Sequence, residues 1–143
     1  MATVNPYLNF NGNTEDAFNF YKSVFGTEFV MVQRFKDTPH GDDMSAADKE
    51  KIMHIALPIG QGTILMGTDT LESMGQKVSM GDNISLAVGP DSEADADAIF
   101  NKLSVGANVT VPMQKMFWGA YFGMLTDKFG IKWMVNYDYN QNK

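Results

Sequence analysis

Two aromatic, β-prone runs flank residues 126–130, TDKFG, and together they spell a β-hairpin. Asp127 can open the turn and Gly130 can take the positive φ that closes it. Beyond the turn, Ile131, Trp133, Val135 and Tyr137 alternate with Lys132, Met134, Asn136 and Asp138. That alternation predicts a strand with one core face and one face toward solvent or a cavity. Before the turn, residues 118–125 are apolar on both sides, as expected of an interior strand covered on both faces. The hairpin is therefore expected mid-sheet, with helices on one side and a pocket on the other.

Upstream, residues 4–10 read as a short strand ended by the turn NGN at 11–13. A helix follows. Asn13 or Thr14 can cap it, Glu15 and Asp16 favour its positive end, and Gly26 supplies the stop. Ala17, Phe18, Phe20, Tyr21, Val24 and Phe25 fall on one broad face. Residues 27–35 are expected as a second strand and the polar residues 36–51 as a long surface loop of the kind that covers binding sites. Residues 52–59 and 63–68 form a further hairpin around Gly60 and Gly62. In its first strand Met53, Ile55, Leu57 and Ile59 share the core face, which leaves His54 on the opposite one beside Ile52 and Ala56.

After an irregular Gly-, Ser- and Met-rich segment the pattern starts again. Residues 83–88 read as a strand with Ile84, Leu86 and Val88 inward. Asp91 or Ser92 caps a helix with a buried stripe of Ala96, Ile99, Phe100 and Leu103, ended by Gly106. Three strands follow, at about 108–114, 117–126 and 131–138. The chain thus repeats strand, helix and three strands, a repeat of element order rather than of residue identity. The expected modules are about 1–70 and 82–143, joined by a linker at about 70–81.

Composition narrows the function classes. With 143 residues there is enough chain for one domain with a real core. A net charge of -6 leaves no basic stripe to neutralise phosphates, which excludes nucleic acid and anionic membranes as expected partners. No apolar run approaches the ~20 residues of a membrane span, and the opening residues lack a leader pattern. The chain is read as soluble and cytoplasmic. The absence of cysteine removes disulfides, thiolate nucleophiles and thiolate metal sites together.

The strings NPYLNFNGN (5–13), AFNFY (17–21), VFG (24–26), MHIA (53–56), ILMGTD (64–69), FWG (117–119), TDKFG (126–130) and Trp133 with Met134 occur in a characteristic order. In that order they resemble the PhnB-like branch of the glyoxalase/bleomycin-resistance/extradiol-dioxygenase superfamily, the vicinal oxygen chelate proteins. The resemblance covers nearly the whole chain. It implies an α+β fold of two βαβββ modules whose mixed sheets curve around a cavity, commonly in a homodimer. It also implies a divalent metal held by His, Gln or Glu from the first and last strands of each module. Those places fall at Asn5 or Pro6, Leu65 or Met66, Asn83, and Met134. None is a histidine or carboxylate, so a divalent ion there is disfavoured and no cofactor is expected. The superfamily's usual chemistry, a metal polarising vicinal oxygens, is in doubt with it. A methyltransferase label attached to the branch gains nothing from the residues, because no strand is followed by a glycine-rich loop with an acidic partner downstream.

His54 is the strongest candidate for chemistry, since imidazole moves protons near neutral pH; its alternative is a satisfied structural histidine. Tyr7, Trp118, Tyr121 and Met134 are the expected ligand contacts beside it, and Trp118, Tyr121 and Phe122 serve equally well as core or interface aromatics. His40 with Asp42 and Asp43 reads as a solvated loop, Asp69 and Asp127 as turn caps, and the eleven methionines as gap-fillers. The function expected is binding of a small organic molecule in the sheet cavity. The rival is an enzyme, either a metal-dependent lyase or dioxygenase or a metal-free acid–base catalyst on His54. A scaffold serving only dimer assembly is the third reading.

Overall fold

In the computed structural model, which describes residues 1–140, the chain forms two compact units, the first comprising residues 1–79 and the second beginning at Met80. Unit 1 contains β1 (Tyr7–Phe10), α1 (Thr14–Phe25), β2 (Met31–Arg34), α2 (Ala46–Glu50), β3 (Ile52–Gly60) and β4 (Thr63–Asp69). Its sheet has the order β1-β4-β3-β2, with β1 and β4 parallel and the other neighbours antiparallel. Unit 2 contains β5 (Leu86–Val88), α3 (Glu93–Leu103), β6 (Asn108–Met116), β7 (Ala120–Thr126) and β8 (Lys132–Asp138). Its order, β5-β8-β7-β6 with β5 and β8 parallel, repeats that of unit 1. Each unit is a βαβββ module.

In unit 1, Ala17, Phe18, Tyr21 and Val24 are buried on one face of α1, and Phe10, Ile55, Leu57 and Leu65 are buried in the same unit's sheet. The helix ends at Gly26, whose φ of 67° is open to glycine without strain and whose N–H bonds to the Lys22 carbonyl at 2.8 Å. In unit 2, Ala96, Phe100 and Leu103 of α3 are buried, as are Leu125, Trp133 and Val135 of the sheet. Ser92 caps α3, its hydroxyl accepting from the Asp95 amide at 3.0 Å.

One rung is built alike in both units. Ile55 pairs with Gly67, and Gly123 with Val135. A Cβ on Gly67 would stand 2.5 Å from a Phe18 ring carbon, and one on Gly123 would stand 2.8 Å from a Phe100 ring carbon. A single glycine per rung thus lets the helix phenylalanine settle onto the sheet, but the two units place it on different strands. Element order is repeated while residue identity is not, which explains why the repeat is faint in sequence.

Several expected boundaries move. The second strand is only Met31–Arg34, not 27–35, and residues 36–51 are not one loop. They hold 3-10 turns at Phe35–Asp37 and Gly41–Asp43 and then α2, capped by the Ser45 hydroxyl. Arg34 pairs with Ile52 directly after Gln33 pairs with His54, so β3 carries an extra residue there. The alternation shifts, and Ile52 is fully buried rather than standing beside His54 on the open face. The fifth strand begins at Leu86, leaving Ile84 exposed instead of inward.

In unit 2, Tyr121 on β7 donates to Asp97 at 2.6 Å and Tyr139, just past β8, donates to Glu93, so two phenols hold carboxylates on α3. The hydrogen bond to Asp97, then burial, raises the Tyr121 phenol. Desolvation, then the Glu93 carboxylate, pushes Tyr139 up to about 12. A raised phenol contributes stability that is fully present below the unfolded tyrosine value of about 10 and lost as pH rises through the folded value. In an ultraviolet phenolate titration, Tyr121 and Tyr139 should ionise above about pH 10, and Glu93→Gln should bring Tyr139 forward. Ionisation of both near pH 10 would contradict these contacts.

Candidate functional site

The strand pairings of unit 1 put two rows of side chains on the face opposite Leu65, Gly67 and Asp69. One row runs Tyr7, Met66, Ala56 and Met31, and the next runs through Asn9 and Thr68 on one side and His54 and Gln33 on the other. The first is mainly apolar and the second is polar. Tyr7 and His54 meet across the rows, with the phenol oxygen 3.1 Å from Nδ1, ring centroids 5.7 Å apart and the planes inclined by 36°. Both residues are solvent-accessible, Tyr7 at 44%.

That bond sets the chemistry of the imidazole. When the Tyr7 hydroxyl donates to Nδ1, the ring proton lies on Nε2, which can donate to a ligand oxygen; when Nδ1 carries the proton, Nε2 is an acceptor. Thr68 closes the polar row from beneath, its hydroxyl donating to the Met53 carbonyl at 2.7 Å. Near the same strand end the Arg34 guanidinium is forked onto Glu15 at 2.5 and 3.2 Å and onto the Glu50 carbonyl at 2.7 Å. Its hydrogen bond holds the Glu15 carboxyl below the usual range.

The other expected contacts belong to unit 2. Met134 lies opposite Met124 and beside Ala87, on the face that Phe122 and Asn136 share by alternation. Trp118 is in the β6–β7 connection, 53% exposed and edge-on to Phe122 at 5.9 Å, with the exposed Phe117 edge-on to it at 5.1 Å. Tyr121 pairs with Tyr137 on the other face, toward α3 and its Asp97 partner, so it does not stand with Met134 and Phe122. The fold thus brings Tyr7 and His54 together and separates Tyr121 from Trp118 and Met134. Met66 entered the sequence reading only as a metal-ligand place, and Thr68 and Gln33 were not singled out. Strict alternation along β4 from the buried Leu65 puts Met66 and Thr68 on this face, whereas Gln33 requires the β2–β3 register.

The places carried over for a metal do not suit one. The Asn5 carboxamide oxygen accepts from the Ile64 amide at 3.0 Å, Leu65 is a fully buried hydrocarbon, and Met134 offers a thioether. Hard or borderline divalent ions want imidazole or carboxylate instead. Among the described residues no group of three or more His, Cys, Asp or Glu side chains could hold an ion. A nucleotide-like methyl donor fits no better at the first strand–helix junction, because the Thr14 amide at the start of α1 is already bound by Asp69 at 3.0 Å.

Two βαβββ modules, each with a helix on one sheet face and the other face open, define a protein of the glyoxalase/bleomycin-resistance/dioxygenase fold. A solved structure of that enzyme family from Burkholderia phytofirmans PsJN shares the fold with a TM-score of 0.61 at 16% identity, over 92% of this chain and 95% of that one. Within the class, residues 2–136 match the family described as 3-demethylubiquinone-9 3-methyltransferase, and the chain belongs to that PhnB-like family. Protein PA1353 from Pseudomonas aeruginosa is 36% identical, with 96% of this chain and 98% of that one covered and a TM-score of 0.83. The PhnB protein from Bacillus cereus is 25% identical, with 95% and 99% covered and a TM-score of 0.75. No helix among the described residues is long and apolar enough to cross a membrane.

Proposed function

We propose that this chain binds a small, flat organic molecule on the open sheet face of unit 1, oriented by His54, without a metal at the superfamily's usual positions. The Tyr7–His54 hydrogen bond carries the reading. It fixes one ring nitrogen and leaves Nε2 with no partner among the described residues, beside the accessible side chains of Met66 and Met31, which can flank a planar apolar body. The family's description as a methyltransferase supplies a name but no donor pocket that these residues would form.

A thermal-shift screen of aromatic and amphipathic small molecules tests this, followed by titration of the best hit. His54→Ala should weaken binding by about tenfold, the worth of one good hydrogen bond, while leaving the melting temperature of this half-exposed site nearly unchanged. Tyr7→Phe should weaken it less. Affinity unchanged within a few-fold in His54→Ala would overturn the assignment, and stoichiometric metal in untagged protein would overturn its metal-free form. The same bond also favours a second reading, acid–base catalysis at Nε2, which turnover of the bound molecule lost in His54→Ala would establish.

A further inference from the structure

A second cleft, of about 260 Å³, lies in unit 1 among Asn11, Lys51, Thr70, Glu72, Gln76 and Lys77. Its wall is tightly built. The Thr70 amide donates to the Phe10 carbonyl at 2.8 Å, and the Asn11 carboxamide clamps Val78 through both its N–H and its C=O at 2.8 and 2.9 Å. Across the loop, Leu71 donates to the Gln76 side-chain oxygen at 2.9 Å, and Gln76 returns its amide to the Leu71 carbonyl at 3.2 Å. These bonds use both ends of the Asn11 carboxamide but only the oxygen of the Gln76 one.

Charged groups are left over. Lys51 pairs with Asp48 at 3.1 Å, which uses one of its three donors. Neither Lys77 nor Glu72 has an ion-pair partner among the described residues, and the Gln76 side-chain oxygen is spent on Leu71 while its NH2 is not. On a chain of net charge -6, a cleft holding two ammonium groups and one carboxylate is a local exception. We propose that it binds a short carboxylate that also carries a hydroxyl or ammonium donor. Lys77, Lys51 and the Gln76 amide would meet the ligand carboxylate, and Glu72 would accept from its donor. The volume falls below that of drug-sized pockets, which suits a molecule of a few carbons.

The test is a titration of the 15N-labelled full chain with L-malate, L-aspartate and succinate, with sulfate as the plain-anion control. Malate or aspartate should give saturable shifts at residues 11–12, 51 and 70–78, and whichever binds tighter tells whether the donor is a hydroxyl or an ammonium. Lys77→Met, which breaks no bond the fold uses, should weaken that binding at least tenfold. Glu72→Gln should erase the preference over succinate. Absent or non-saturable shifts, equal response to sulfate, or a Lys77→Met variant that binds like the parent would each overturn the proposal. His54 takes no part in these readouts, so they stand apart from the sheet-face assignment.

Discussion

Asp69→Ala is expected to destabilise the protein by about 3–5 kcal/mol, a large share of the roughly 5–15 kcal/mol by which domains are stable. The Asp69 carboxylate is only 3% exposed and accepts three hydrogen bonds. Thr14 gives two of them, from its amide at 3.0 Å and its hydroxyl at 2.6 Å, both to Oδ1; the Ile52 amide gives the third, to Oδ2 at 2.8 Å. One side chain at the end of β4 thereby ties down the start of α1 and the start of β3. Thr14 and Ile52 are fully buried, so alanine leaves their donors without water to replace the lost oxygens. Asp69→Asn keeps one oxygen and should cost about half as much. Urea denaturation followed by circular dichroism decides the matter, and an alanine variant within 1 kcal/mol of the parent would refute the staple.

The same residue shows where sequence reading stops. Position 69 follows a strand and precedes a Gly- and Ser-containing segment, so a local turn cap is the natural expectation. Its actual partners are 55 and 17 residues away, and nothing in local composition encodes a bond of that span. Asp127, by contrast, does what its neighbourhood says: its Oδ1 accepts from the Phe129 and Ile131 amides at 2.8 and 3.0 Å, within its own turn. Long periodic elements were similarly legible, because the stripe of α1 and the alternation of β8 are repeated several times over. Short edge strands were not. Val30, just before β2, and Met31 and Val32 within it are all exposed despite their strand-like character, so burial gives no signal for where pairing starts.

For the site, alternation sufficed to put His54 away from the core, and it did so although the extra residue in β3 displaced Ile52. The bond to Tyr7 needed the β1–β4 and β3–β4 registers together, which connect residues 47 apart. Tyr121 illustrates the opposite case. It lies in an apolar run, where alternation cannot say which face is the helix side, and only its 2.6 Å bond to Asp97 decides.

Trp133 is expected to be the most costly side chain to truncate in unit 2. It is 1% exposed, stands between Leu125 on β7 and Leu86 on β5, and donates its indole N–H to Asp127 Oδ2 at 2.8 Å. Trp133→Ala should cost about 3–5 kcal/mol through the cavity it opens, and it also removes a partner from a buried carboxylate. Because that variant can fail to fold, Trp133→Phe isolates the polar part: most of the apolar volume stays, the N–H goes, and the expected loss is about 1–3 kcal/mol. A double-mutant cycle with Asp127→Asn then separates the indole bond from the turn. Coupling of about 1 kcal/mol or more between the two sites would show that one carboxylate both shapes the 127–131 turn and fixes the strand that carries Met134. Additive losses would mean that Trp133 acts by packing alone, and that the turn holds β8 in register without it.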